Sequence, residues 1–178
     1  MKHLACFAIF CMVIVSCTPP EDPQIAIDEA NTKVVFDYIN AATTGDIDAM
    51  SAALTDGFWS YGPAIADSSS KADNIAGWAA NWDSVFTKIN YERVATTTKS
   101  FAEGPLAGDW VSDWATITVD YQNGSQATFR FNGVYRVEDG KITRSTSFYD
   151  RADLLTQIGW ELNPPSTEEE GDEDAMEE

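Results

Sequence analysis

Histidine is nearly absent from this chain: His3 is the sole one among 178 residues. Beyond the first few positions there is therefore no imidazole for a Ser-His-Asp or Cys-His site, for a metal ligand, or for an acid–base pair. Proton transfer would fall to carboxylates, tyrosines, lysine or water. Cysteine is scarce too, at Cys6, Cys11 and Cys17. Positive charge is sparse: 11 Lys and Arg stand against 29 Asp and Glu, a formal charge of −18. Nucleic acid and anionic lipid surfaces are repelled by such a chain. No internal repeat, phosphate-binding glycine loop or metal-ligand cluster is visible, so neither cofactor nor metal is expected. Aspartates such as Asp46 and Asp48 read as helix-start residues.

The opening residues have the form of a targeting segment. Lys2 and His3 precede an apolar run from Leu4 to Val15, which is too short to span a bilayer as a stable helix. Ile14-Val15-Ser16-Cys17 resembles a bacterial lipobox, which implies removal of residues 1–16, acylation of Cys17 and lipid anchoring at the cell envelope. An ordinary secretory signal cut nearby, or an uncleaved anchor, is the plainer alternative. Cleavage would leave Cys17 as the single cysteine, with no intramolecular disulfide, and a charge of about −19. Residues 17–23 (CTPPEDP) then read as a tether, and residues 24–163 as one domain, long enough for one core. Residues 164–178 carry eight acids and almost no apolar side chains. Such a segment cannot bury enough surface to order itself, so it reads as a solvated disordered tail, the alternative being cation or partner binding.

Within the domain, helical spacing runs from Ile25 to Thr43, with Ile27, Ala30, Val34, Tyr38 and Ala42 on one stripe. Thr44-Gly45 stops it, and Asp46 can cap a short helix over DIDAMSAAL. FWSYGP ends that unit with three aromatics and a turn. Ser70 and Asp73 have capping-box spacing for a third helix reaching Phe86, with Ile75, Trp78, Ala79, Trp82 and Phe86 as its stripe. Asn90 to Ala102 is a strand candidate, and Glu103 to Gly108 a loop.

From Trp110 onward the pattern is antiparallel strands. WVSDWATITVDY alternates and is rich in Thr, Val and aromatics; Asn123-Gly124 suits a tight hairpin; QATFRFNGVYRVE returns, and KITRSTSFYD leaves after Asp139-Gly140. A two-residue Asn123-Gly124 loop would set Trp114 opposite Gly133 and Thr116 opposite Phe131, so that Trp114, Phe129, Phe131 and Gly133 share the cavity face. At Asp139-Gly140 two readings stand. A two-residue loop points Thr146 and Phe148 inward; three residues with a glycine bulge point Ser145, Ser147 and Tyr149 inward.

GKITRSTSFYDRADLLTQIG resembles the closing segment of SnoaL-like domains of the nuclear transport factor 2-like superfamily, and the order of elements extends that likeness upstream to about Ile25. The resemblance implies an α+β cone: a curved antiparallel sheet around three N-terminal helices, enclosing a pocket. It favours the inward-facing Ser147 arrangement. YINAATTGDIDAM resembles the helix that carries the oxyanion tyrosine of ketosteroid isomerases, which places Tyr38 on that role as the one candidate catalytic residue. The other family acids are missing. Gly62 stands before Pro63 where the isomerase base would be, Gly133 where its protonated aspartate would be, and Ser147 where epoxide hydrolases of this fold need an aspartate.

The resulting expectation is an envelope-anchored domain that binds a small, largely apolar molecule, with no reaction, in a pocket of Tyr38, Trp59, Tyr61, Trp82, Trp114, Phe131 and Ser147. The membrane is met through lipidated Cys17 alone and nucleic acid not at all. Two alternatives stand beside it. One is an isomerase-, cyclase- or hydrolase-type enzyme using Tyr38. The other is an interaction module, with a homodimer formed through the outer sheet face.

Overall fold

The computed structural model describes residues 22–163. The leader, the lipobox with Cys17 and the acidic tail from residue 164 lie outside them.

Helix α1 (Pro23–Thr44) starts where Asp22 accepts a hydrogen bond from the Gln24 amide and Pro23 takes the first turn, where its missing N–H is no loss. It ends at Gly45, whose φ of +76° a glycine adopts without strain. Pro23, read from the sequence as the last residue of a tether, is the first residue of α1. Helix α2 (Ile47–Ala52) is capped by Asp46, and helix α3 (Lys71–Ser84) by Ser70. Between them run β1 (Leu54–Tyr61) and β2 (Ser68–Ser70). The long strands β3 (Phe86–Phe101), β4 (Gly108–Tyr121), β5 (Gln126–Glu138) and β6 (Lys141–Phe148) follow, and α4 (Arg151–Gln157) closes the domain. As the resemblance implies, the class is α+β. One curved, unclosed six-stranded sheet in the order β2-β1-β6-β5-β4-β3 carries the N-terminal helices on its concave side.

Three further readings of the sequence pattern are corrected, the first being that of Phe86, which lies not on the stripe of the third helix but at the start of β3, four residues before Asn90. Phe58 to Tyr61 of FWSYGP belong to a strand, β1, which pairs in parallel with β6, and Gly62-Pro63 follow its end. The buried stripe of α1 is Val35, Tyr38, Ile39, Ala41 and Ala42, while Ile27 stays 42% exposed. The first turns of α1 meet the far end of β3 through polar contacts, Gln24 donating to Ser100 Oγ at 2.8 Å and Thr98 to Asp28 at 2.8 Å, and leave Ile25 and Ile27 exposed.

Hairpin registers decide what faces inward. Tyr121 pairs with Ser125, its amide donating to the Ser125 carbonyl at 2.9 Å, so the loop holds three residues, Gln122 to Gly124. Gly124 takes φ +84°, and the Asn123 side chain accepts from the Ser125 amide and hydroxyl. This is the three-residue hairpin ending in a left-handed glycine. Relative to a two-residue loop, it slips the pairing by one. Trp114 faces Asn132, Asp113 faces Gly133, and Ala115 and Ile117 face Phe131 and Phe129. A one-residue slip exchanges faces, so Trp114 lies on the outer surface, 39% exposed. The expectation that it shares the cavity face with Gly133 is corrected.

The second hairpin combines both sequence readings. Glu138 pairs with Lys141, so Asp139-Gly140 is a two-residue turn with both residues at positive φ, as a type I′ turn requires. A bulge at Thr143 then shifts the register, so that Arg136 faces Arg144 and Tyr135 faces Ser145. Ser145, Ser147 and Tyr149 therefore line the inner side.

Gly133 sits beneath the side chain of Tyr135. A Cβ there would lie 2.5 Å from the Tyr135 hydroxyl and 2.7 Å from its ring. Tyr135 is 5% exposed and in edge-on contact with Tyr38, so a side chain at position 133 would have to displace a packed ring. Gly133→Val is expected to lose about 1–3 kcal/mol in urea or thermal denaturation through overpacking. Wild-type stability in that variant would refute the close Tyr135–Gly133 approach.

Candidate functional site

The concave face of the sheet and the helices above it enclose a cavity of about 460 Å³. Its floor comes from alternate residues of three strands: Ile89 and Tyr91 on β3, Ile117 and Val119 on β4, Phe129 and Phe131 on β5. Tyr38, Ile39 and Ala42 of α1 lie across it, and Trp78 of α3 closes one side. Tyr149 and Leu154 stand where α4 begins. The rings pack against one another: Tyr91 meets Phe131 edge-on at 6.3 Å, and Phe129 meets Tyr149 at 5.3 Å. Edge-to-face and offset contacts of this kind add to area burial.

One wall is hydroxylic. Ser145 Oγ donates to Ser60 Oγ at 3.1 Å, and Ser147 Oγ to the Tyr61 carbonyl at 3.4 Å. Neither serine has a basic neighbour to activate it. Among the described residues, no Asp, Glu, Lys or Arg lines the cavity, and no group of three His, Cys, Asp or Glu could hold a metal ion.

The nearest acid is one side chain behind the wall. Asp113 on β4 is completely buried and shares its strand pair with Gly133. Tyr91 donates its phenol proton to Asp113 Oδ2 at 2.5 Å, Arg93 Nε donates to the two oxygens at 2.9 and 3.1 Å, and Thr96 donates to Oδ1. A bulge in β3 makes this convergence possible. Arg93 pairs with Ala115 and Ala95 with Trp114, which leaves Val94 unpaired and 72% exposed. Without that extra residue Thr96 would face outward; with it, Tyr91, Arg93 and Thr96 all point in. The Arg93 guanidinium also stacks over the Phe36 ring, 3.4 Å from its centre.

The phenols at this end are held protonated. Burial pushes Tyr38 well above the ordinary phenol range. Burial, and then the hydrogen bond to Asp113, does the same to Tyr91. Tyr135 is raised by burial first, then by the neighbouring Tyr38 and Tyr91 phenols and by Asp113. The Tyr38 and Tyr135 rings meet edge-on at 6.1 Å. Tyr38 is thus a hydrogen-bond donor at neutral pH and not a base.

The sequence profile of the SnoaL-like domain matches residues 35–145. The chain belongs to the SnoaL-like domain family. No curated protein matches it. Solved structures share the fold at low identity. An LEH-like epoxide hydrolase of M. tuberculosis is 19% identical with a TM-score of 0.59, over 74% of this chain and 91% of that one. A nuclear transport factor 2-like protein of unknown function from Burkholderia pseudomallei is 18% identical with a TM-score of 0.60, over 74% and 98%. A protein with a ketosteroid isomerase-like fold from Catenulispora acidiphila is 18% identical with a TM-score of 0.58, over 74% and 97%.

Of the residues singled out in the sequence of this SnoaL-like domain, Tyr38, Phe131 and Ser147 line the cavity. Four do not. Trp114 is outside by register. Trp59 pairs with Arg144 on the outer side of β1 and is 48% exposed. Tyr61 also turns outward, with the Arg144 guanidinium 4.5 Å over its ring. Trp82 serves packing: its indole donates to the Ala42 carbonyl at 2.9 Å, lies against Gly45 and meets Phe86 edge-on at 5.9 Å. Near Gly62 the closest acid is Asp67, which pairs with Arg151 at the surface and is not part of the lining. Sequence reading missed Tyr91, Asp113 and Tyr135. Asp113 was recoverable from the correct hairpin register, since it lies on the β4 face that the slip exchanged; Tyr135 follows from the alternation of Phe129, Phe131 and Gly133 along β5, whose inward facing the slip left unchanged; Tyr91 depended on the start of β3.

The raised phenols carry a signature at high pH. In the unfolded chain they ionise near the ordinary value of about 10, whereas the folded protein keeps them protonated. The folded state then binds more protons than the unfolded one, so stability falls as pH rises above about 10. Denaturation midpoints should be flat just below that pH and drop above it, and Tyr38→Phe should soften the drop. A midpoint that holds at alkaline pH would contradict the burial of these hydroxyls.

Proposed function

We propose that this SnoaL-like domain binds a small, largely apolar molecule in its aromatic cavity without transforming it. The observation that carries the reading is the absence of any carboxylate, amine or guanidinium among the described cavity-lining residues. Acid–base turnover needs a positioned group able to take a proton near the operating pH. The phenols are raised away from that range, the serines lack a base, and Asp113 is enclosed by its three donors. What remains suits binding: aromatic walls for apolar area and a few hydroxyls to orient a polar tip. A charge near −19 on the processed chain further disfavours acidic ligands. The epoxide hydrolase activity of the M. tuberculosis protein is a property of that protein; an enzymatic role here would rest on Tyr38 alone.

Trp78 is the tryptophan that faces the cavity, so ligand entry should be read through it. A panel of sterol-like, polyketide-like and aromatic compounds should contain at least one that changes indole fluorescence saturably, and Trp78→Phe should abolish most of that change. No 3-keto-Δ5-steroid or epoxide should be turned over. Turnover that Tyr38→Phe abolishes while binding survives would replace the binding reading with an enzymatic one.

The envelope location is also a proposal. It rests on Ile14-Val15-Ser16-Cys17 and on the short tether before Asp22. Metabolic labelling with a fatty acid should mark the wild type, and Cys17→Ser should lose the label and either leave the membrane fraction or retain its leader. An unlabelled wild type would end the lipoprotein assignment. The outer sheet face, where Trp59 and Trp114 are exposed, is the surface proposed for association of two copies.

A further inference from the structure

Three phenols meet at the polar end of the cavity, and they are not equivalent. Tyr91 has committed its proton to Asp113 at 2.5 Å. An ionised carboxylate only accepts, and a phenol has one proton. Toward the cavity, the Tyr91 oxygen can therefore act only as an acceptor. Tyr135 is brought to the same place from the next strand. Its hydroxyl lies over Gly133, and Gly133 is the strand partner of Asp113. Tyr38 meets Tyr135 edge-on at 6.1 Å. Among the described residues, neither the Tyr38 nor the Tyr135 hydroxyl has a hydrogen-bond partner, so both remain able to donate.

We propose that this end of the cavity selects molecules carrying a hydroxyl, with Asp113 as the positioning residue that fixes Tyr91 as an acceptor. The inference rests on the binding reading above and names the ligand class within it. A hydroxyl is the small group that satisfies such a set, because its oxygen accepts from Tyr38 or Tyr135 while its proton goes to Tyr91. A ketone or an ether satisfies the donors and leaves the Tyr91 oxygen facing a group with nothing to give. Leaving a buried acceptor without a donor costs about 1–3 kcal/mol, which is roughly a tenfold loss of affinity or more.

The carboxylate is well placed to hold this polarity. Asp113 receives Arg93, Thr96 and Tyr91 together, and its backbone carbonyl accepts from Asn132 Nδ2 at 3.1 Å. It has no room to rotate away from the phenol. Gly133 has a part in the same arrangement, since any side chain there would displace the Tyr135 hydroxyl.

The test compares two probes of equal body, 2-naphthol and 2-methoxynaphthalene, by fluorescence titration of the full-length protein at neutral pH. The expected result is at least about tenfold tighter binding of 2-naphthol. In Tyr91→Phe the ratio should fall to near one. In Tyr38→Phe both affinities should weaken by a similar factor, because the oxygen of either probe can accept. Asp113→Asn separates positioning from mere support. The amide oxygen turns to Arg93 and its NH2 donates to Tyr91, which frees the phenol proton for the cavity. The methoxy compound should then gain affinity, and the preference should shrink to one or invert.

Equal affinities in the wild type, a preference that survives Tyr91→Phe, or a folded Asp113→Asn that keeps the full preference would each overturn the proposal. Failure of both probes to bind would overturn it too, while the broader compound panel decides the binding reading on its own. If Asp113→Asn does not fold, Tyr91→Phe decides the case, because Arg93 and Thr96 still satisfy Asp113 there.

Discussion

Everything at the closed end of this cone depends on one buried carboxylate. A charge in the interior is tolerable only when it is paired and its lone pairs are filled. Asp113 meets that condition through residues of the neighbouring strand alone, Tyr91, Arg93 and Thr96. Those three can converge only because β3 carries an extra residue at Val94. The bulge thus exists in company with the charge: without Asp113 the twist has no electrostatic partner, and without the twist Asp113 loses a donor. Breaking a buried ion pair leaves the remaining charge stranded, which is why such units persist as wholes.

The same geometry explains why the cavity has a polar end and an apolar remainder. The Ala115, Ile117 and Val119 side of β4 is covered by Phe86, Ile89, Tyr91, Phe129 and Phe131, and these rings stop short of filling the cone. The deeper core of Val35, Met50, Leu54, Phe58, Val111 and Ile142 is packed solid. One continuous sheet therefore serves two purposes. Its closed part supplies stability, and its open part supplies a concave, mostly aromatic surface with hydroxyls at measured places.

The fold was largely legible in the sequence. Helix caps at Asp46 and Ser70, the Asn123-Gly124 and Asp139-Gly140 turns and the closing motif all lay in local residue patterns, which local chemistry governs. The site was legible only in part. Tyr38 followed from helix spacing and Ser147 from the family likeness, but the placement of Trp114 and Asp113 turned on whether one loop held two residues or three. Asn-Gly favours two; here Gln122 joins the loop and Tyr121 pairs with Ser125. The Thr143 bulge likewise restored the facing of Ser145 and Ser147 by a route that loop counting does not contain. Trp59 and Tyr61 were misplaced because the parallel pairing of β1 with β6 joins segments some eighty residues apart. Aromatic composition shows that a hollow can be walled; which rings face it is settled by pairing between distant segments.

Helix α3 has no buried residue along its 14 positions, yet it forms one side of the cavity through Trp78 and Asn74. It is held by Trp78 and Trp82 against Phe86 and by Ile75 and Trp78 against the core, all of them partly exposed, so it opens more readily than the buried strands of the sheet. The hollow is thus closed on one side by a partly exposed helix and floored by strands such as β4, which buries every second residue from Val111 to Val119. Traffic in and out can proceed by fraying on that side, leaving the sheet, the bulges and the Asp113 cluster untouched.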